Sequence, residues 1–145
     1  MRKSWFKPLL ATAVTVFSFG VASVAQAQAP LKMAYALSQT SHYGAGGDAF
    51  AKSLEASSQG KFKVQQFANS ALGGEREMLE GLQQGTIDIY VGSTGPVGNF
   101  SPSMLIVDIP FLFRDYAHVD KVLDGPIGKQ LLADVDKAGF KGLAF

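Results

Sequence analysis

The chain contains no cysteine. A disulfide framework and cysteine-ligated centres are thereby excluded, and the fold has to rest on its apolar core. Histidine is scarce: His42 and His118 are the only two, on separate stretches. A zinc site needs three or four clustered ligands, which two distant imidazoles do not supply. Neither a metal nor a cofactor is expected. Excess charge of one sign is also missing, with 13 Lys+Arg against 12 Asp+Glu. No basic stripe invites nucleic acid, and no polybasic segment invites anionic lipid. No G-x-S-x-G, H-E-x-x-H, C-x-x-C or Walker pattern occurs. The scattered carboxylates show no pairing for acid–base work, so the chain does not read as an enzyme.

What is present starts with a leader pattern. Arg2, Lys3 and Lys7 form a positive head, and Leu9 to Val24 form an apolar run interrupted by Thr and Ser. Ala25-Gln26-Ala27 and Ala27-Gln28-Ala29 both offer small-x-small cleavage patterns. The second would put Pro30 directly after the cut, so cleavage is expected after Ala27. The apolar run is too short and too interrupted to span a bilayer, which takes about 20 predominantly apolar residues. Residues 1–27 therefore read as a cleavable export signal. Its removal takes three of the 13 basic residues and leaves 10 against 12 acids, a formal charge of −2. Residues 28–145 fall in the size range of one domain. Their last stretch, Phe140 to Phe145 (FKGLAF), reads as a buried strand without a following turn, as in a truncated first lobe of a longer protein.

Along the chain, strands alternate with helices. Leu31–Leu37 is short and apolar, as in a strand buried on both faces. Ser41 is placed to cap a helix from His42 to about Ser58, with Tyr43, Phe50 and Leu54 on its inner side and Gly60 at its end. A second strand follows in FKVQQFA, led by Phe62 and Val64. Met78, Leu79 and Leu82 give the next helix an apolar face, and Glu75 and Glu77 favour its positive end. Gly85 caps that helix, and Ile87, Ile89 and Val91 alternate as a third strand. A fourth strand is expected over Met104–Ile109, stopped by Pro110. Asp115 caps a helix through Leu123; Pro126 opens another, with Ile127, Leu131, Leu132 and Val135 as its stripe. The order β-α-β-α-β-β-α-α-β implies an α/β domain with a largely parallel sheet flanked by helices.

In such sheets a ligand lies beyond the carboxyl ends of the strands. Three loops leave those ends: residues 38–42, 69–75 and 92–100. Ser38, Gln39 and His42 stand in the first, Glu75 closes the second, and Ser93 and Thr94 open the third. They form a wall of hydrogen-bonding groups with little charge, suited to a polar small molecule held without chemistry. Each has a plainer role as well: His42 as a surface or capping residue, Glu75 as dipole partner, Ser93 and Thr94 as turn formers. Glu77 and His118 read as solvated, Phe111 and Phe113 as core anchors, and Arg114 as a surface residue neutralised by Asp115. Gly44-Ala45-Gly46-Gly47-Asp48-Ala49 formally matches G-x-G-x-x-A. It stands too far beyond the first strand to be a dinucleotide fingerprint, and no acid ends the second strand. Its glycines read as close packing of helix on sheet.

One stretch carries a family resemblance. LGGEREMLEGLQQGTIDI, then a small-polar loop, then DIPFLFRD, resembles the DctP-type solute receptors of tripartite ATP-independent periplasmic (TRAP) transporters. The likeness runs in order from about Leu31 to Phe145. It implies a periplasmic-binding-protein-like lobe, a second lobe absent from this chain, and hinge closure around a small organic acid. It further implies delivery of that acid to membrane-embedded TRAP permease subunits from the periplasm. In such receptors an arginine of the second lobe clamps the ligand carboxylate, after the strand that here ends at Phe145. The first-lobe contacts carried over are Ser38, Gln39, His42, Glu75, Ser93 and Thr94. The alternative is an exported α/β enzyme whose catalytic residues lie beyond residue 145, since fold alone does not settle function.

Overall fold

The computed structural model describes residues 29–145. The leader expected over residues 1–27 lies outside the described residues. At the centre is a three-stranded parallel sheet of order β2-β1-β3, formed by β1 (Leu31–Ala34), β2 (Val64–Phe67) and β3 (Ile89–Tyr90). β1 pairs Leu31 with Val64 and Ala34 with Phe67 on one side, and Met33 with Ile89 on the other. Met33, Ala34 and Tyr35 are successively buried, at 1%, 0% and 0% exposure. Consecutive burial needs cover on both faces, as expected of a central parallel strand.

Helix α1 (His42–Ser57) starts at Ser41, whose hydroxyl accepts from the Gly44 N–H at 3.5 Å and donates to the Ser38 carbonyl at 2.6 Å. It lies close to the sheet because Gly47 has no side chain. A Cβ there would stand 2.5 Å from the Gln66 Oε1 and 3.0 Å from the Met33 sulfur. That Gln66 oxygen accepts from the Tyr35 hydroxyl at 2.7 Å, and the Gln66 amide donates to Asp48 at 2.6 Å. Of the glycines in the G-x-G-x-x-A match, Gly47 thus serves packing of the helix on the sheet, Gly44 lies against the Gln39 backbone of the preceding loop, and a Cβ on Gly46 would meet nothing within 4 Å.

Helix α2 (Glu75–Gln83) joins two parts of the core. Met78 packs with Ala34 and Ile87, while the adjacent Leu79 packs with Met104, Leu131, Val135 and Phe140. Gly85 follows it at φ +73°, the left-handed cap the sequence calls for. A short helix α3 (Thr94–Gly98) occupies what reads in sequence as a polar loop. Helix α4 (Tyr116–Leu123) is capped by Asp115, which accepts from the His118 N–H at 2.7 Å. Helix α5 (Pro126–Lys137) follows, with Leu131 and Val135 buried and Ile127 exposed.

Several expectations are overturned. Residues Pro102–Asp108 form a 3₁₀ helix instead of a strand. Met104 is buried and Val107 half-buried, while Leu105 and Ile106 stand about half exposed. That three-residue spacing suits a 3₁₀ turn, and a Cβ on Gly98 would strike Leu105, so α3 and this segment pack closely. Phe111 is no core anchor: it is fully exposed at φ +60°, just after Pro110. Phe113 is half-buried against His118, with ring centroids 5.8 Å apart, so His118 is less solvated than its sequence context implies. Asp115 caps α4, and among the described residues it makes no ion pair with Arg114.

A further correction concerns residues 140–145, which form no strand. Phe140 is buried edge-on against Phe100, but Leu143 and Phe145 are exposed. Asp136 accepts from the Lys141 amine at 2.6 Å and the Gly142 N–H at 3.2 Å. These bonds draw the segment back along α5, away from an extended course. The core itself is tested at Met78, which is fully buried. Met78→Ala should lower stability by about 2–5 kcal/mol, through lost burial and the cavity left. A chemical denaturation midpoint unchanged from the parent would contradict its place at the junction.

Candidate ligand-binding site

Because the three strands are parallel, their carboxyl ends share one edge of the sheet, and the following loops meet there. Glu75 reaches this edge as the first residue of α2, where a carboxylate interacts favourably with the helix dipole. Tyr90 reaches it as the last residue of β3, and Ser93 from the turn before α3. The Glu75 carboxylate gathers these groups. Its Oε1 accepts from the Tyr90 hydroxyl at 3.0 Å and from the Ser93 N–H at 3.3 Å. The Ser93 hydroxyl lies 3.3 Å from Oε1 and 3.2 Å from Oε2. Ser93 stands at the cap position of α3 but makes no side-chain cap bond, its hydroxyl being turned to Glu75.

Gly92 makes this possible. The Tyr90 ring folds back so closely that a Cβ on residue 92 would collide with the phenol oxygen. Burial pushes the Tyr90 phenol far above its ordinary range, and its hydrogen bond to Glu75 and the Glu75 charge push it the same way. Tyr43, on the first turn of α1, is raised more gently, by burial and then by the Glu75 charge. The Tyr90 phenol and the Glu75 carboxylate thus meet from two elements. Tyr90 is not among the residues the sequence singles out. Its one signal is its position, at the carboxyl end of a strand and two residues before a glycine.

The other expected contacts lie around this group. Thr94 donates to Asp108 of the 3₁₀ segment at 2.5 Å, so its hydroxyl proton is already engaged. Ser38, Gln39 and His42 are exposed at the start of α1. The Ser38 hydroxyl lies 3.2 Å from that of Thr40, and the His42 ring sits edge-on to Tyr43 with centroids 4.6 Å apart. None of the three is hydrogen-bonded to the Glu75 group. Glu77 is exposed, as expected. A separate open depression of about 330 Å³, lined by Phe100, Ser103, Asp134 and Lys137 among others, contains none of the strand-end groups. Among the described residues no three His, Asp or Glu side chains are grouped to hold a metal. Chemically, the strand-end cluster is a preorganised acceptor ringed by hydroxyls.

Comparison with known proteins decides the family. The family model for DctP, bacterial extracellular solute-binding protein family 7, matches residues 33–145. The chain belongs to the DctP family. A solute-binding protein of Verminephrobacter eiseniae is 48% identical over 123 residues, which is 85% of this chain and 37% of that one. Among solved structures, a TRAP periplasmic solute-binding protein of Bordetella, with ligand density interpreted as pantoate, is 61% identical at a TM-score of 0.79. A TRAP periplasmic solute-binding protein of Polaromonas, bound to D-erythronate, is 51% identical at a TM-score of 0.79. The match to each structure covers 81% of this chain and 39% of that one. The chain therefore spans about two-fifths of the length of these DctP-family proteins.

The tyrosine at the centre of the cluster supplies a pH test. An unfolded tyrosine ionises near pH 10, whereas folded Tyr90 holds its proton well past that point. The folded state then binds more protons than the unfolded one, and stability falls as pH rises. The contribution is complete below about pH 10 and is lost above it. Tyr90→Phe should therefore lose stability less steeply than the parent in alkaline solution. Parallel stability curves above pH 10 would show that Tyr90 is not held in this way.

Proposed function

We propose that residues 28–145 form the first lobe of a two-lobed periplasmic receptor. The receptor binds a small organic acid and delivers it to a TRAP-type membrane permease, and residues 1–27 direct its export. The observation that carries this reading is the Glu75–Tyr90–Ser93 group at the carboxyl ends of a parallel sheet. That is where α/β sheets bind ligands. The D-erythronate bound by the Polaromonas protein, and the density interpreted as pantoate in the Bordetella protein, support the ligand class. Family membership supports a binding role over catalysis. In this reading Glu75 and Ser93 contact the ligand from one side. Ser38, Gln39 and His42 contact it from the start of α1, and Thr94 offers the lone pairs its bond to Asp108 leaves free. The carboxylate clamp comes from the second lobe.

A thermal-shift screen of the complete mature protein against organic acids, sugars and amino acids tests this. A ligand at a hundred times its dissociation constant stabilises the folded state by about 2.7 kcal/mol. Organic acids should raise the melting temperature, and neutral sugars should leave it unchanged. Silence from every acid, in a folded sample stripped of carried-over ligand, would overturn the receptor reading.

A further inference from the structure

Helix α3 is five residues long, well short of the length at which a helix holds by itself. Its cap residue, Ser93, makes no side-chain bond into the helix. Pro96, at the third helical position, has no N–H for such a bond, and the Ser93 hydroxyl and N–H both go to Glu75. The start of α3 is held from another element. Asp108, the last residue of the 3₁₀ segment, accepts from the Thr94 hydroxyl at 2.5 Å. Its other oxygen lies 3.6 Å from where a Cβ on Gly95 would stand. A hydrogen bond to a carboxylate is roughly twice as strong as one between neutral groups. At the far end of α3, Gly98 lets Leu105 of the same segment pack in. Among the described residues no ion pair includes Asp108, and neither Asp108 nor Thr94 belongs to a core cluster.

We propose that Asp108 is a positioning residue of the ligand-binding edge: through Thr94 it fixes the first turn of α3 and so keeps Ser93 on Glu75. Its part in ligand binding rests on the receptor reading above; its hold on Ser93 does not. Thr94 adjoins Ser93, so a displaced first turn carries the Ser93 N–H and hydroxyl away from Glu75. The carboxylate then keeps the Tyr90 bond alone and regains side-chain freedom. A ligand binding at that edge has to order the side chain again, which lowers affinity while the core stays intact. Asp108 acts from a segment that the strand-end rule does not reach, since the 3₁₀ segment follows α3 and no strand.

Two measurements on the complete mature protein test this, one without ligand and one with it. In the unliganded protein, Asp108→Ala and Thr94→Val should each speed hydrogen exchange of the Ser93 N–H by about tenfold or more. The two changes together should do no more than either alone, because they remove one bond. Thr94→Ser keeps the hydroxyl and should exchange like the parent, and the Tyr35 N–H, bonded to the Phe67 carbonyl, should be unmoved in every variant. Calorimetric titration with D-erythronate and with pantoate should show Asp108→Ala binding about tenfold more weakly. Asp108→Asn, which keeps an acceptor oxygen for Thr94, should recover most of that loss, with the melting temperature of the unliganded protein little changed in both. Parent-like exchange of Ser93 in Asp108→Ala would overturn the proposal, and acid binding by the parent would leave the receptor reading standing. Faster exchange with unchanged affinity would reduce Asp108 to a structural contact. If the parent binds neither acid, the ligand part of the role falls with them, and exchange alone decides the hold on Ser93.

Discussion

The structure depends on the two-sided pairing of β1. Its backbone bonds to β2 and β3 in the same direction, and the next residue, Tyr35, still donates to the Phe67 carbonyl at 3.2 Å. Burial of a segment on both faces requires every backbone polar group to find a protein partner. A central strand in a parallel sheet satisfies that condition along its whole length. The parallel sense also brings all three strand ends to one edge. Were β3 reversed, its Tyr90 end would lie at the opposite edge from the loop that brings Glu75.

The same pairing positions the loop before α2. Asn69 and Ser70 adopt left-handed backbone at φ +56° and +54°, unusual for residues with a side chain. Their N–H groups donate to the Leu37 and Tyr35 carbonyls at 2.9 and 3.2 Å. The turn from β2 is thus tied to the continuation of β1, and Glu75 emerges beside Tyr90. A half-buried carboxylate without a cation is tolerated because helix dipole, phenol, hydroxyl and amide all meet it. Those contacts also give it a single orientation, which a freely rotating surface glutamate lacks.

Much of this was legible in the residues. Ser41, Asp115, Pro126 and Gly85 mark helix ends because capping chemistry is local, requiring only a side chain or a backbone angle within a few residues. Met78 and Leu79 read as core for the same reason, through spacing on one short helix. Glu75 and Ser93 were legible through the strand-end rule once the helix and strand between them had been placed. The misreadings share a cause. Met104–Ile109 and Phe140–Phe145 are apolar enough for strands, but a strand exists only through a partner. Here Leu105 packs on Gly98 and Gly142 is bonded to Asp136. Phe111 is large and apolar, yet no neighbour within the described residues covers it.

By itself, then, the sequence determined the alternation of strands and helices, most of the caps, the parallel class of the sheet and the polarity of the strand-end loops. These follow from propensity, periodicity and spacing, which act over a few residues. Only the tertiary structure decided which polar groups meet. It brought Tyr90 and Ser93 onto Glu75, turned Thr94 to Asp108, and left Ser38, Gln39 and His42 apart from that group. Such choices depend on separations of a few ångströms between residues 15 or 18 positions apart. Local pattern carries no information at that distance; the packing of α2 against the end of β3 does.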